Sequence, residues 1–462
     1  MTEPKPPTEP GPPTEPGAPT EPGAPTKAGA PTEPRAPTEA GPATVTEAAP
    51  GEDDHPRLTL SRAVLDAIIH GNSVVVTVLA IVAAMVIGGL LIAFTDPVVL
   101  TAWGRLFSAP GSAIAAAWHS VTAAYSNMFE GAILNPHTVS AAFHGGSVAA
   151  VFNPLSETAV NATPLIFAGL SVALAFRAGL FNIGGTGQFI GGALFATWLG
   201  FGVHLPVVIH AVVVLLGAFA GGAVLGWVVG ALKAWTGAHE VIVTIMLNYV
   251  MIYLLSWLLG TKAMQRPGRN DLISPFIDPN AQLPHIAGPN LRLNASFLIA
   301  LAAAAGVWWL LGRSTLGFEF RTVGANPRAA RSAGMNVAQT WIVVMLIAGG
   351  LAGLAASAVI QGTDHSLNFQ SYGTYGIDAI TVALLGRARP LGTVLAALLF
   401  GALDAGGIAM QGVTQIPVDI VKVIQALIVL FIAAPPLVRA MFRLREARAA
   451  GEGQVLAKGW NG

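Results

Sequence analysis

The chain has no cysteine among its 462 residues, which excludes disulfide frameworks, thiolate zinc sites, iron–sulfur clusters and cysteine nucleophiles. Charge is almost as scarce. Asp, Glu, Lys and Arg make up 10% of the residues against 53% hydrophobic ones, and the mean hydropathy is +0.63, a composition suited to a bilayer and not to soluble domains. The bases sit singly between apolar stretches, so no basic face exists for a nucleic acid. His239 and His365 lack a second ligand at metal spacing, and no Gly-x-x-x-x-Gly-Lys-Ser/Thr loop is present to cradle nucleotide phosphates. No metal or cofactor is therefore expected on this chain. Without a nucleophile–base pair, an intramembrane enzyme ranks below transport.

What charge there is divides unevenly. Residues 1–56 carry ten of the 24 acids, three of the 24 bases and sixteen of the 32 prolines, with Thr-Glu-Pro beginning at Thr2, Thr8, Thr14 and Thr20. Such a tract has almost nothing to bury; it favours extended polyproline-like conformers and is expected to be a disordered, dispensable tail. It does not read as a signal peptide, because the first apolar run begins only at Ser73. From Arg57 onward, fourteen acids meet twenty-one bases. The expected organisation is the tail, a transmembrane domain over 57–438, and a basic cytoplasmic tail over 439–462.

Hydropathy predicts an all-α polytopic membrane protein with about ten transmembrane helices: 73–94, 158–176, 181–200, 205–232, 241–259, 295–311, 341–360, 377–385, 391–410 and 417–434. The segment 377–385 is short and contains Asp378, yet without it two basic clusters would fall on opposite sides. With ten spans and both termini cytoplasmic, fifteen bases lie inside and five outside, as the positive-inside rule requires. Between spans, 95–157 carries Trp103, Phe107, Trp118, Tyr125 and Phe129 and suits interfacial helices on the outer leaflet. The proline-rich 260–294 reads as an irregular lid or docking loop. Gly217, Gly221, Gly222, Gly226 and Gly230 form a small-xxx-small stripe for close helix packing.

Several segments could carry chemistry. Between spans six and seven, Asn326 suits an N-cap, Pro327 the first helical position and Gly334 the stop, so 326–334 specifies a helix of about two turns by its own ends. Too short to cross a membrane and bearing Arg328, Ala329, Ala330 and Arg331, it reads as a docking element for a cytoplasmic partner. In 181–188, the glycines at 184, 185 and 187 break a helix at membrane depth, leaving Asn182 and Gln188 either to contact a solute or to satisfy freed backbone groups. Glu240, Thr244 and Asn248 share one helix face and could meet hydroxyls or base edges of a solute; Glu240 could equally stabilise its helix N-terminus. Phe181 and Tyr249 are candidates for stacking on a base. Asp419 and Lys422, three apart, are expected to pair, whereas Asp404 has no evident partner. A stand-alone ion-coupled carrier working through Asp404 is therefore the rival mechanism.

Four segments resemble known importers. The segment from Arg328 to Gly334 is similar to the Glu-Ala-Ala-x-x-x-Gly coupling segment of ATP-binding-cassette (ABC) import permeases, with Arg328 in place of the glutamate. Ala178 to Gln188, His239 to Asn248 and Gly386 to Gly392 resemble the permeases for nucleosides and simple sugars, although Gly185 and Thr186 stand where the nucleoside pattern has Ala-Glu. The resemblance covers about 73–439. It implies one permease subunit in a bacterial plasma membrane that forms part of a translocation pathway for a nucleoside-like solute. Its implied partners are a second permease, a cytoplasmic ATPase carrying the ATP and Mg²⁺, and an extracytoplasmic solute-binding lipoprotein.

Overall fold

The computed structural model describes residues 73–442. The segment expected to be a disordered tail, 1–56, and most of the basic tail expected at 439–462 lie outside the described residues. The described chain is helical throughout its regular structure: α1 (Ser73–Thr95), α2 (Pro97–Trp103), α3 (Pro110–Ala132), α4 (Pro136–Phe143), α5 (Val148–Arg177), α6 (Gly185–Gly202), α7 (Val207–Thr236), α8 (Glu240–Leu259), α9 (Ser296–Arg313), α10 (Thr315–Ala325), α11 (Pro327–Ser332), α12 (Val337–Val359), α13 (Tyr375–Leu385), α14 (Pro390–Thr414), α15 (Asp419–Ala433) and α16 (Pro435–Met441). Six of these open on proline, at α2, α3, α4, α11, α14 and α16, where a missing N–H costs nothing and the fixed φ favours the first turn.

Seven helices, α1, α5, α7, α8, α9, α12 and α14, are long and apolar enough to cross a membrane, and α15 with α16 makes an eighth only as a pair bent by 95° at the two prolines. The count of ten therefore separates into two kinds of element. α6 is 18 residues long, but its glycines and polar residues dilute its hydropathy. α13 has 11 residues and by itself rises only about 16 Å, roughly half the hydrocarbon thickness.

The main core lies where α5, α6, α7, α12 and α14 meet, with Phe167, Phe189 and Phe400 nearly inaccessible. α7 and α12 touch backbone to backbone. A Cβ on Gly226 would lie 2.0 Å from the Met345 carbonyl oxygen and one on Gly222 2.2 Å from that of Gly349, so the predicted stripe is a contact surface. A second core joins α1, α3, α14 and α15 through Ala80, Ala124, Met410 and Ile424. The segment 95–157, expected to rest on the outer leaflet, thus differs from expectation: α3 packs in the bundle, with a Cβ on Gly131 only 2.2 Å from the Ala409 side chain and the Tyr125 hydroxyl donating to the Met85 carbonyl.

The segment 260–294 forms a cap over the end of α12. Past Val359 the helix widens into a π-turn, Ile360–Asp364, whose Gln361 Nε2 donates to the carbonyls of Ala281 (2.6 Å) and Ala211 (3.1 Å). Cap amides return the favour, Ile277 to His365 at 2.9 Å and Leu283 to Gln361 at 3.0 Å. The Asn280 amide and then His204 hold the cap carboxyl of Asp278 below the usual carboxylate range.

Bases assigned to one side of the membrane gather at one end of the bundle. Arg177 Nε donates to the Ala388 carbonyl at 2.8 Å, Arg177 and Arg321 border a common cavity beside Pro390, and Arg387 and Arg439 border another with Thr77. The start of α1 and α16 share that end. The cap and the Arg292–Glu157 pair (2.9 Å) do not border these cavities.

The α7–α12 contact leaves no room for a side chain. Gly226→Val should lower the melting temperature of the purified protein by at least about 5 °C, while Gly306→Val on α9, where an added Cβ meets nothing, should not. Equal melting temperatures for the two variants would show that the close approach is not needed.

Candidate solute pathway and coupling helix

The glycine break is closed by amides. Asn182 and Gln188 are buried and bond each other twice, Asn182 Nδ2 to Gln188 Oε1 at 2.8 Å and Gln188 Nε2 to Asn182 Oδ1 at 3.1 Å, while Asn182 Oδ1 also accepts from the Gly184 amide. Asn248 clamps the same loop from α8, accepting from the Gly187 amide at 2.8 Å and donating to the Ile183 carbonyl at 2.9 Å. Thr244, fully buried, packs against Gly184 and turns its hydroxyl to the Glu240 carbonyl. The face of α8 read from the spacing does point at the break, and the polar groups of Asn182, Gln188, Thr244 and Asn248 are engaged there by protein.

Glu240 is ion-paired, which the helix-terminus reading did not foresee. Lys233 Nζ, from the last turn of α7, lies 2.6 Å from Glu240 Oε2 and 4.9 Å from the Trp341 ring centroid. The Phe181 ring is about half exposed and edge-on to Phe176 at 5.3 Å, while the Phe181 backbone hydrogen-bonds Glu240; Tyr249 is exposed, turned about 100° around α8 from Asn248.

At the arginine-bearing end, the predicted short helix forms within its predicted limits. Asn326 Oδ1 accepts from the amides of Arg328 (3.0 Å) and Ala329 (3.1 Å), Pro327 opens α11, and Gly334, at φ +84°, ends it with the Met335 amide bonded to the Ala330 carbonyl. Arg328, Ala329, Arg331 and Gly334 are exposed. Ala330 is not: it sits in a small core with Val323 and Val337, so it anchors the helix and does not belong to a docking face.

The ionisable residues of the later helices pair differently from the sequence expectation. Lys422 turns from Asp419, which is exposed and makes no ion pair among the described residues, and bridges Asp404 Oδ1 at 2.9 Å and Asp378 Oδ2 at 3.5 Å. Intrahelical spacing could offer only Asp419; packing of α13 and α14 against α15 supplies two better-placed carboxylates. Gln425 Nε2 adds a bond to Asp404 Oδ1 at 3.0 Å, and the Thr374 hydroxyl one to Asp378 at 2.5 Å. This cluster borders a cavity of about 430 Å³, and a second of about 490 Å³ adjoins it through Asn161 and Ile408. Asn153, Glu157 and Asn161 line the second, four residues apart on α5. That spacing, not singled out from the sequence, was the available signal.

A helical bundle with polar chambers, a cap and a short capped helix at its arginine-bearing end defines a membrane transport subunit. The chain belongs to the family described as branched-chain amino acid transport system / permease component, whose pattern matches residues 155–433. It is 38% identical over 293 residues to the guanosine ABC transporter permease NupP of Bacillus subtilis, covering 62% of this chain and 82% of that protein. It is 36% identical over 287 residues to the glucose ABC transporter permease TsgB13 of Haloferax volcanii (60% and 75%), and 34% over 310 residues to the nucleoside ABC transporter permease NupB of Lactococcus lactis (64% and 84%). No solved structure matches. The chain is thus a multi-pass plasma-membrane permease subunit of an ABC importer for nucleosides or sugars, which sets aside the ion-coupled carrier.

If the Asn248 clamp holds the broken helix, Asn248→Leu, which removes both bonds, should cost about 1–3 kcal/mol. The loss would be read as a lower melting temperature in detergent. A variant as stable as the wild type would show the clamp to be idle.

Proposed function

We propose that this chain imports a nucleoside-like solute as one of two permeases, driven by a separate cytoplasmic ATPase that carries the ATP and Mg²⁺ and supplied by an extracytoplasmic binding lipoprotein. The observation that carries the proposal is α11: a helix of six residues, closed at both ends by its own caps, with Arg328 and Arg331 exposed and only Ala330 buried. A helix so short gains little from helix formation itself. Its rigidity comes from Asn326, Gly334 and the Ala330 contact, as a part that transmits force requires.

Nucleoside is placed ahead of sugar because relatives named for guanosine and for nucleosides stand at 38% and 34% identity, with one named for glucose between them. The cap is the surface for the binding protein, since it is folded, and tied to α12 by paired hydrogen bonds. The exposed apolar face of α8, with Met246, Tyr253 and Trp257, faces lipid or the second permease. Both termini are assigned to the cytoplasm because the bases gather at the end of the bundle where α1 begins and α16 lies.

Arg328→Glu combined with Arg331→Glu reverses the docking charge without touching the helix anchor. ATP-driven uptake should fall by at least about tenfold while the protein still inserts and purifies normally. Ala330→Glu should instead destabilise the permease itself, because it puts a charge into the core beneath α11. Normal uptake by the double arginine variant would remove α11 from the coupling pathway.

A further inference from the structure

We propose that the cavity between α5, α13, α14 and α15 is a subsite for the vicinal diol of a ribose or hexose, in which Asp378 and Asp404 accept hydrogen bonds from the hydroxyls. The proposal rests on the importer reading above and adds which part of the solute is recognised, and by which residues.

Position comes first. Asp404 lies fourteen residues beyond Pro390, where α14 leaves the arginine-bearing end, so it stands about 21 Å along the helix. In a hydrocarbon layer about 30 Å thick that is well inside the membrane, where ionised groups are costly and are kept for function. The contrast within the molecule is sharp: α7 and α12 fill their interface with glycine backbone, whereas α13, α14 and α15 enclose two carboxylates, an ammonium and an open space of about 430 Å³, within the range of small-molecule sites.

The bonding pattern then selects the ligand. Lys422 uses one oxygen of each carboxylate, Oδ1 of Asp404 and Oδ2 of Asp378, and the supporting bonds from Gln425 and Thr374 go to those same two oxygens. Asp404 Oδ2 and Asp378 Oδ1 accept no hydrogen bond among the described residues. The site therefore offers two unspent carboxylate acceptors, on two carboxylates held by one ammonium group. Hydroxyls are the complementary donors, and O–H to carboxylate bonds are short and strong. A cation would meet Lys422, and an anion the two carboxylates; a neutral polyol meets neither objection. Asn161 and Gln370 add amides to the wall, and Val359, Ile408 and Val418 supply an apolar side for the C–H face of a sugar. Tyr375, stacked on Phe189 at 5.4 Å, fixes the start of α13 and so the position of Asp378. The neighbouring chamber reaches Glu157 and Arg292, the latter in the 260–294 cap segment.

The test compares uptake of guanosine with that of 2′,3′-dideoxyguanosine, in proteoliposomes holding the permease with its second permease, ATPase and binding protein. Each uptake is measured for wild type and for Asp404→Asn. The binding protein is common to both, so a change in the guanosine-to-dideoxyguanosine ratio belongs to the permease. Loss of one hydroxyl bond to a charged acceptor should lower that ratio about tenfold. Asn161→Ala, which leaves the ion cluster whole, should lower it in the same direction and serves as the test should Asp404→Asn fail to assemble. An unchanged ratio in assembled variants, with guanosine still imported, would overturn the subsite and leave the importer reading standing. Wild-type complex that imports neither guanosine nor glucose would overturn both.

Discussion

The contact on which the rest of the molecule depends is that of the α7 backbone with the α12 backbone. Gly222 and Gly226 meet the carbonyls of Gly349 and Met345, and Gly353 in turn meets that of Ala218, so two helices approach until peptide groups touch. In lipid no hydrophobic force draws helices together, and such close packing is what remains to hold them. Both ends of the pair tie neighbouring elements to it. At one end Lys233 of α7 holds Glu240 at the start of α8 and lies over Trp341 of α12. At the other, Gln361 in the π-turn reaches back to the Ala211 carbonyl of α7 and across to the cap at Ala281. The same π-turn ends at Asp364, on the wall of the polar cavity, so the cap and the cavity share one rigid support.

Around that spine, two of the polar clusters in the bundle contrast. The groups at the glycine break are spent on protein: Asn182 with Gln188, Asn248 with the backbone at 183 and 187, and Thr244 with its own helix. The break is tolerated because its freed backbone groups find these partners, the requirement for irregular chain at membrane depth. The carboxylates around Lys422 keep an unspent oxygen each. That distinction between satisfied and available acceptors is the basis of the subsite proposed at the cavity beside α13 and α14.

Much of this was legible in the sequence wherever the determinant is local. Hydropathy located the long helices, the glycine stripe marked the α7–α12 contact, and Asn326, Pro327 and Gly334 fixed α11 through cap chemistry that needs no tertiary information. The Glu240–Thr244–Asn248 face was correct because helical periodicity is geometric. Where the determinant lies between helices, the sequence was silent. It paired Lys422 with Asp419, the nearest acid by spacing, because nothing local shows that α13 and α14 bring Asp378 and Asp404 within reach. It treated Ala330 as part of a docking face, since burial of one alanine beneath a short helix depends on Val323 and Val337. It put 95–157 on the membrane surface, because the fit of Gly131 against α14 cannot be seen from either segment alone.

The central claim is that transport through this chain is powered by ATP hydrolysed on another subunit, with Asp404 held by Lys422 and not loaded with a coupling proton. Uptake of labelled guanosine into proteoliposomes tests it most directly, measured with and without ATP and the partner ATPase, and with and without an uncoupler. The account requires uptake that depends strictly on ATP and on the ATPase and ignores the uncoupler. Uptake by this chain alone, driven by a proton gradient and abolished by the uncoupler, would contradict it.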